Sequence, residues 1–340
     1  MVGLGFMGRG HLDQYIRLEG ERYGVKLAAL CDTDASKFTR FAAPAGNLGA
    51  LGTGTYDFSP YALYTDMGEM IAKENLDYAD IALPTYLHAE YACKAMRAGL
   101  HVLCEKPMAL TPKECQTMID TSRRTGKRLM IAQCLRFWPA YETLKDYVVQ
   151  ETFGKLTCAY FARHGGTPLW SWQNWLLDER RSGGCLLDQH VHDVDIVNWL
   201  LGLPEAVSSI GVNLHPGAGF DAVSTQYRYP GKVVNTQDDW SMNGADMPFK
   251  MLFRVNFEQG ALVFEDGTLK IYPNGQDGFE APGGDDGYYR EICYFADHLA
   301  SGEPMDTATP ESTRQTIRIA AAERASARRG GGWVGLEPAK

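Results

Sequence analysis

No run in this 340-residue chain approaches the roughly 18 consecutive apolar residues that a membrane-crossing helix needs. No block of about five basic residues occurs either, and 33 basic residues stand against 42 acidic ones for a net charge of −9. A nucleic-acid backbone is therefore excluded as an expected partner. The cysteines at 31, 93, 104, 115, 134, 158, 185 and 293 form no Cys-x-x-Cys pair, and most sit inside apolar runs. They read as buried free thiols in a reducing compartment rather than as a disulfide framework or a zinc ribbon. The opening residues lack a charged segment followed by an apolar one, so the expected location is the cytoplasm. Internal repeats and long low-complexity tracts are absent too.

What is present is ordinary in bulk and informative in order. An apolar share of 45% and a charged share of 22% suit a globular protein, and the length suggests two domains. Up to residue 135, strand-like and helix-like segments alternate. Strands are expected near 26–31, 78–83, 101–104 and 128–133, with helices near 8–22, 88–98 and 111–125. That rhythm predicts an α/β, doubly wound parallel sheet. Residues 44–60 interrupt it with Gly, Pro and small side chains and read as a surface loop. From 136 to 340 the texture changes to many short strands separated by Pro230-Gly231, Gln259-Gly260 and Asp266-Gly267, with helices near 139–151, 287–300 and 310–328. This predicts a C-terminal α+β domain with an open, largely antiparallel sheet, whose bare face invites homo-oligomerisation.

Four constellations carry chemistry. Gly3-Leu4-Gly5-Phe6-Met7-Gly8 leads into a helix, and Asp32 closes the next strand. Glycines there permit a tight turn and close approach to a pyrophosphate, while an acidic strand end accepts from ribose hydroxyls. With Thr33 and Asp34 following, rather than Arg or Lys, NAD is favoured over NADP. Glu105-Lys106-Pro107 follows an apolar strand, and a lysine at a strand end can hydrogen-bond a substrate hydroxyl and stabilise a forming alkoxide. Glu105 could orient it. Gly183-Gly184 precede a helical pattern running to Leu201, on which Asp188 and His192 share a face at i, i+4. His192 suits a general base, with Asp188 fixing its tautomer or touching substrate. A metal bound by His190, His192 and Asp193 is the rival reading, but residues at i and i+2 of a helix point apart, so no metal is expected. Finally, Trp170, Trp172 and Trp175 with Gln173 and Asn174 suit stacking on a sugar ring and bonding its hydroxyls; plain packing in the core or a subunit interface is the other reading.

Together these residues resemble the Gfo/Idh/MocA family of sugar and polyol oxidoreductases over essentially the whole chain. The carriers are the opening glycine turn, Pro84-Thr85-Tyr86-Leu87-His88, the run from Ala98 through Glu105-Lys106-Pro107, Arg136-Phe137-Trp138-Pro139, Gly183-Gly184 with Asp188 and His192, and Tyr289-Arg290-Glu291 with Phe295. The resemblance implies a Rossmann domain followed by an α/β domain that oligomerises through its sheet. It implies that Lys106, Asp188 and His192 form the catalytic group, that Pro84, Thr85 and His88 line a cofactor cleft, and that Arg136 lies on the substrate side. Two departures stand out. Only Met1-Val2 precede the glycines, so the first strand is expected to be stunted or to begin outside the recorded sequence. His190 replaces a customary glycine and is expected to narrow the pocket or add a polar contact. The expected reaction is hydride transfer between NAD and a secondary hydroxyl of a sugar, glycoside or cyclic polyol. A glycosidase working by transient oxidation, a sugar- or NAD-sensing regulator, and an imine- or dihydrodiol-type reductase are the alternatives.

Overall fold

The computed structural model describes residues 1–21, 23–38, 56–242 and 247–337. The loop expected over 44–60 lies outside the described residues, except for 56–60. The first part holds α1 (Phe6–Gly20), β1 (Ala29–Cys31), β2 (Ala62–Tyr64), α2 (Met67–Lys73), β3 (Tyr78–Ile81), α3 (Thr85–Arg97), β4 (His101–Glu105), α4 (Pro112–Thr125) and β5 (Leu129–Ala132). The pairs β1–β2, β3–β4 and β4–β5 are parallel. Val2 bridges both Cys31 and Ile81 in parallel and joins the pieces, so the order is β2, β1, Val2, β3, β4, β5. Its N–H donates to Asp80 O at 2.8 Å, and its carbonyl accepts from Ala82 at 2.9 Å. The short opening segment thus does the work of a central strand. The point where the strand order reverses lies beside it, which is where doubly wound sheets bind their ligands. β2 and α2 escape the sequence pattern because each is short; Asp66 caps α2 by accepting from Glu69 N–H.

The second part follows with α5 (Pro139–Val149), β6 (Leu156–Gly166), α6 (Glu179–Ser182), α7 (Gly184–Asp188), α8 (Val191–Leu201), β7 (Ala206–Val212), β8 (Ala222–Tyr229), β9 (Lys232–Met242), β10 (Lys250–Phe257), β11 (Gly260–Glu265), β12 (Thr268–Pro273), β13 (Phe279–Glu280), α9 (Gly287–Ser301), α10 (Pro310–Ala327) and β14 (Val334–Gly335). Its sheet runs β13-β12-β11-β10-β6-β9-β8-β7-β14, antiparallel except for the parallel β6–β9 pair. Alternation decides the faces: Val223, Thr225 and Tyr227 on β8 are buried, while Ser224, Gln226 and Arg228 are exposed. The inner face packs Phe161, Val207, Val234, Phe253 and Phe264 against α5, α8 and α10. The outer face leaves Ile210, Val212, Val233 and Tyr272 in solvent.

The last two long helices return to the first sheet. Ile292 and Phe295 of α9 cover Leu103 and Met130 on one face. Ile317 and Ala320 of α10 join Val102, Leu129 and Ile131 on the other. One expectation fails here. The helix predicted to run without a break to Leu201 is interrupted after Asp188, where His190 N–H donates to Cys185 O, five residues back. Such a wide turn shifts register, and it lets the His190 ring sink between β9 and α10 instead of continuing the helix surface.

Arg136, expected on the substrate side, is instead fully committed to the core. Its Nε and Nη2 donate to the two Asp195 oxygens at 2.7 and 2.8 Å, and Thr316 donates to the same carboxylate at 2.7 Å. Both charges are buried, so removing one strands the other. Asp195→Asn should cost about 3 kcal/mol or more of unfolding free energy. Urea titration reads this directly, and an unchanged midpoint would show that the pair contributes nothing.

Candidate active site

A cleft of about 1160 Å³ opens between the glycine turn and the inner helices of the second part. Its floor follows from local geometry. Gly3 has a φ of 96°, and a Cβ there or at Gly8 would collide with the Ala82 or Gly3 carbonyl respectively, so both positions require glycine. A Cβ on Gly5 would meet nothing within 4 Å; it would stand in the open cleft where a ligand's backbone contacts belong. The helix α1 starts immediately after Gly5 with no acidic residue in its first turn, leaving its free N–H groups for an anion. Asp32, nearly buried, accepts from Leu4 N–H at 2.8 Å on one oxygen and from Asp34 N–H at 2.9 Å on the other. These features fit a dinucleotide: a phosphate cradle, with a carboxylate one strand away. One residue was invisible to the motif. Lys37, five positions beyond Asp32, swings back and donates to it at 2.8 Å.

Across the cleft, Lys106 Nζ donates to the Asp188 carbonyl at 2.9 Å and lies 3.4 Å from its carboxylate. His192 stands beside them with a buried Nδ1 that has no hydrogen-bond partner. Burial, then Lys106 and Arg163, push its pKa well below the ordinary 6.5. It is therefore a neutral imidazole at neutral pH, able to accept a proton. Asp188 serves Lys106, not the His192 tautomer. Arg163 also lines the cleft, donating from Nη2 to Asp193 at 3.0 Å, and Gln189 donates to the Arg163 and Asp239 carbonyls. Arg163 belongs to no short motif and reaches the cleft only through the fold, whereas Gln189 directly follows Asp188 in the run read for chemistry.

Aromatic side chains form the remaining wall. Trp172 and Trp175 line it, joined by Trp138, Trp170, Trp240 and Tyr288. Trp170 lies 5.1 Å from the Phe6 ring of the glycine turn. Arg181 sits between Tyr86 at 5.2 Å and Trp172 at 5.5 Å, spanning the rim by two cation–π contacts.

Several expected site residues lie elsewhere. Phe6, Met7, Pro84 and Glu105 line the cleft, but Gly8 and Thr85 sit just behind it. His88 is buried with its ring nitrogens on the Pro107 and Leu83 carbonyls, tying two strand ends together beneath the surface. Asn174 points outward, exposed, in a left-handed conformation with a φ of 50°. His190 neither narrows the cleft nor touches it. Burial works against its charge, yet Glu323 and Asp238 outweigh burial and raise its pKa to about 10. It binds Asp238 through Nδ1 and lies 3.2 Å from Glu323 through Nε2, which separates it from His192 and dissolves the imagined His190–His192–Asp193 ligand set. Among the described residues, the metal-ligating side chains that do converge are His11, Glu105 and Glu291, within 4.8 Å of one another. The His11 Nε2 is already bonded to Glu105 at 3.0 Å.

Residues 1–133 match the family described as "Oxidoreductase family, NAD-binding Rossmann fold", and residues 141–263 match the "GFO/IDH/MocA C-terminal domain". Similar proteins include a D-glucoside 3-dehydrogenase of Escherichia coli, 31% identical over 245 residues, covering 72% of this chain and 62% of the relative. A 2,7-anhydro-N-acetylneuraminate hydratase of Mediterraneibacter gnavus is 32% identical over 158 residues, 46% of this chain and 42% of that protein. The chain thus spans from about two fifths to three fifths of these relatives' length. A levoglucosan dehydrogenase in complex with NADH and levoglucosan has the same fold, with a TM-score of 0.81 at 21% identity over 99% of this chain and 98% of that one.

The depressed pKa of His192 has a sign that can be checked. The unfolded chain takes up this proton first as pH falls through 6.5, so this residue makes the fold lose stability below that value and leaves it unaffected above. In a nuclear magnetic resonance titration the His192 ring should titrate below pH 6.5. Titration above that value would remove its standing as a neutral acceptor.

Proposed function

We propose that this chain, which belongs to the Gfo/Idh/MocA family of oxidoreductases, oxidises a secondary hydroxyl of a sugar, glycoside or cyclic polyol in the cytoplasm with NAD. The observation that carries the reading is the convergence of Lys106, Asp188 and a neutral His192 on one wall of a cleft whose opposite floor is a phosphate-binding turn. Gly3, Gly5, Phe6, Met7, Asp32 and Pro84 would hold the dinucleotide, which when bound supplies the two-electron acceptor. NADP is the less favoured cofactor, because Asp32 would face its 2′-phosphate.

The chemistry left to this chain is positioning and proton handling. Lys106 donates a hydrogen bond to the reacting oxygen and stabilises negative charge as it develops there. His192 accepts the hydroxyl proton, having no competing proton of its own at neutral pH. A bound dinucleotide would supply the acceptor for the carbinol hydrogen and its bonding pair, while these two side chains would hold the oxygen and take its proton as the carbonyl forms. Asp188 holds Lys106 in place. The tryptophans at 170, 172 and 175 offer apolar faces to the C–H side of a sugar ring and keep water from the reacting atoms.

A second reading has one support of its own, a relative named as a hydratase. In that reading, a glycosidase working by transient oxidation, a new carbonyl would acidify the neighbouring C–H, loss of that proton would expel the aglycone, water would add in its place, and return of the electrons to the carbonyl would leave no net redox change. The assembly is proposed to be a homo-oligomer joined through the outer face of the second sheet, where Ile210, Val212 and Val233 are bare. Light scattering should show a multimer that Val233→Glu breaks. A monomeric wild-type protein would exclude it.

The test is a panel of sugars, glycosides and polyols with NAD, followed by absorbance of reduced nicotinamide and by product analysis. Growth of the reduced band with one compound supports the dehydrogenase; product without it supports the second reading. Lys106→Ala and His192→Ala should each lower turnover on the order of 10²–10³-fold while NAD still binds. Near-normal turnover in either variant would remove the role given to that residue.

A further inference from the structure

The mechanism leaves one buried set of titratable groups unused. His11, on the first helix of the glycine turn, is wholly enclosed. Its Nδ1 is 2.9 Å from Asp80 on β3, and its Nε2 is 3.0 Å from Glu105 Oε1 on β4. The other Glu105 oxygen, Oε2, accepts from the Lys106 backbone N–H at 2.9 Å. One carboxylate therefore joins His11 to the peptide from which Lys106 projects. Tyr15 donates to Asp80 at 2.8 Å and steadies the far end.

We infer that His11 is a positioning residue for Lys106, acting through Glu105. The chain of contacts runs from α1, which follows the turn proposed to hold the cofactor, to the peptide that carries the Lys106 side chain, and it ties the two together. The geometry specifies an imidazolium, because both ring nitrogens face carboxylates. Every packed element agrees. Asp80 and Glu105 face the ring from β3 and β4, and Tyr15 closes α1. From α9 the Tyr288 ring lies 6.4 Å away and Glu291 lies 3.8 Å from Nε2. Burial opposes the charge on His11, but Asp80 and Glu105 outweigh it and raise its pKa. Burial raises the pKa of Glu291 against the opposing pull of His11, and its oxygens have no hydrogen-bond partner, so Glu105 at 3.0 Å is the nearer acceptor for the cation. A shift of about 1 Å in a reacting group costs on the order of a hundredfold in rate, which is what loosening this brace would produce.

The inference rests on the role proposed for Lys106, and its test separates the two. His11→Gln keeps an amide where Nε2 reaches Glu105; His11→Asn keeps one only where Nδ1 reaches Asp80. Acetic anhydride labelling of the whole protein, read at the Lys106 peptide by mass spectrometry, reports the lysine's setting without any substrate. Turnover of whichever panel sugar reacts, NADH fluorescence titration and thermal melting complete the set. The Asn variant should change Lys106 labelling and lower turnover about tenfold or more, while NADH still binds; the Gln variant should recover most of both. Equal wild-type behaviour in both variants overturns the inference. So does an equal loss in both that tracks melting temperature, since His11 would then only support the fold. If no panel sugar reacts with the wild type, the proposed function fails while the labelling result still decides this point. If neither variant folds, the wild type decides: both His11 nitrogens should carry protons near neutral pH, and a bare Nε2 overturns the inference.

Discussion

The contact between Lys106 and Asp188 is the constraint around which the cleft is arranged. One residue ends a strand of the parallel sheet; the other ends a one-turn helix belonging to the second part. A lysine side chain is long and loses much rotamer freedom when fixed, so a carbonyl and a carboxylate at one end, and a pinned peptide at the other, are what give its ammonium a defined position. Everything nearby follows. The glycine turn faces that ammonium, the aromatic wall flanks it, and the neighbouring imidazole loses its own charge partly because this cation stands beside it.

Motif and periodicity reached these elements unequally. The glycines, Asp32 and Lys106 were legible because each lies at a strand end, and strand ends can be read from short apolar runs in a sequence of alternating elements. The sheet of the second part was legible too, since its hairpin turns and two-residue alternation are local signals. What could not be read depended on distant partners. Arg136 sits in a motif and resembles a pocket residue, but Asp195 and Thr316 claim it from other helices. His88 is claimed by two carbonyls and Asn174 by a kinked turn. Arg163 reached the cleft with no pattern announcing it, and Gln189 did so beside Asp188, in a run whose Asp and His carry the signal.

His190 shows the same limit from the opposite side. Its spacing from His192 suggested chemistry, and its replacement of a small residue suggested a changed pocket. The wide turn after Asp188 instead drops it into an ionic cluster with Asp238 and Glu323. A buried cation between two carboxylates is tolerated only with its partners in place. The substitution is therefore read as part of a compensated set spread over α8, β9 and α10.

The return of α9 and α10 to the first sheet carries a consequence for biosynthesis. Val102, Leu103, Leu129 and Met130 leave the ribosome long before Ile292, Phe295, Ile317 and Ala320, the side chains that shield them. Chains usually fold domain by domain as they are made, but here the parallel sheet has to wait, partly uncovered, while about 160 to 190 further residues are translated. During that interval its exposed β-branched and leucine side chains are what a holding chaperone would grip.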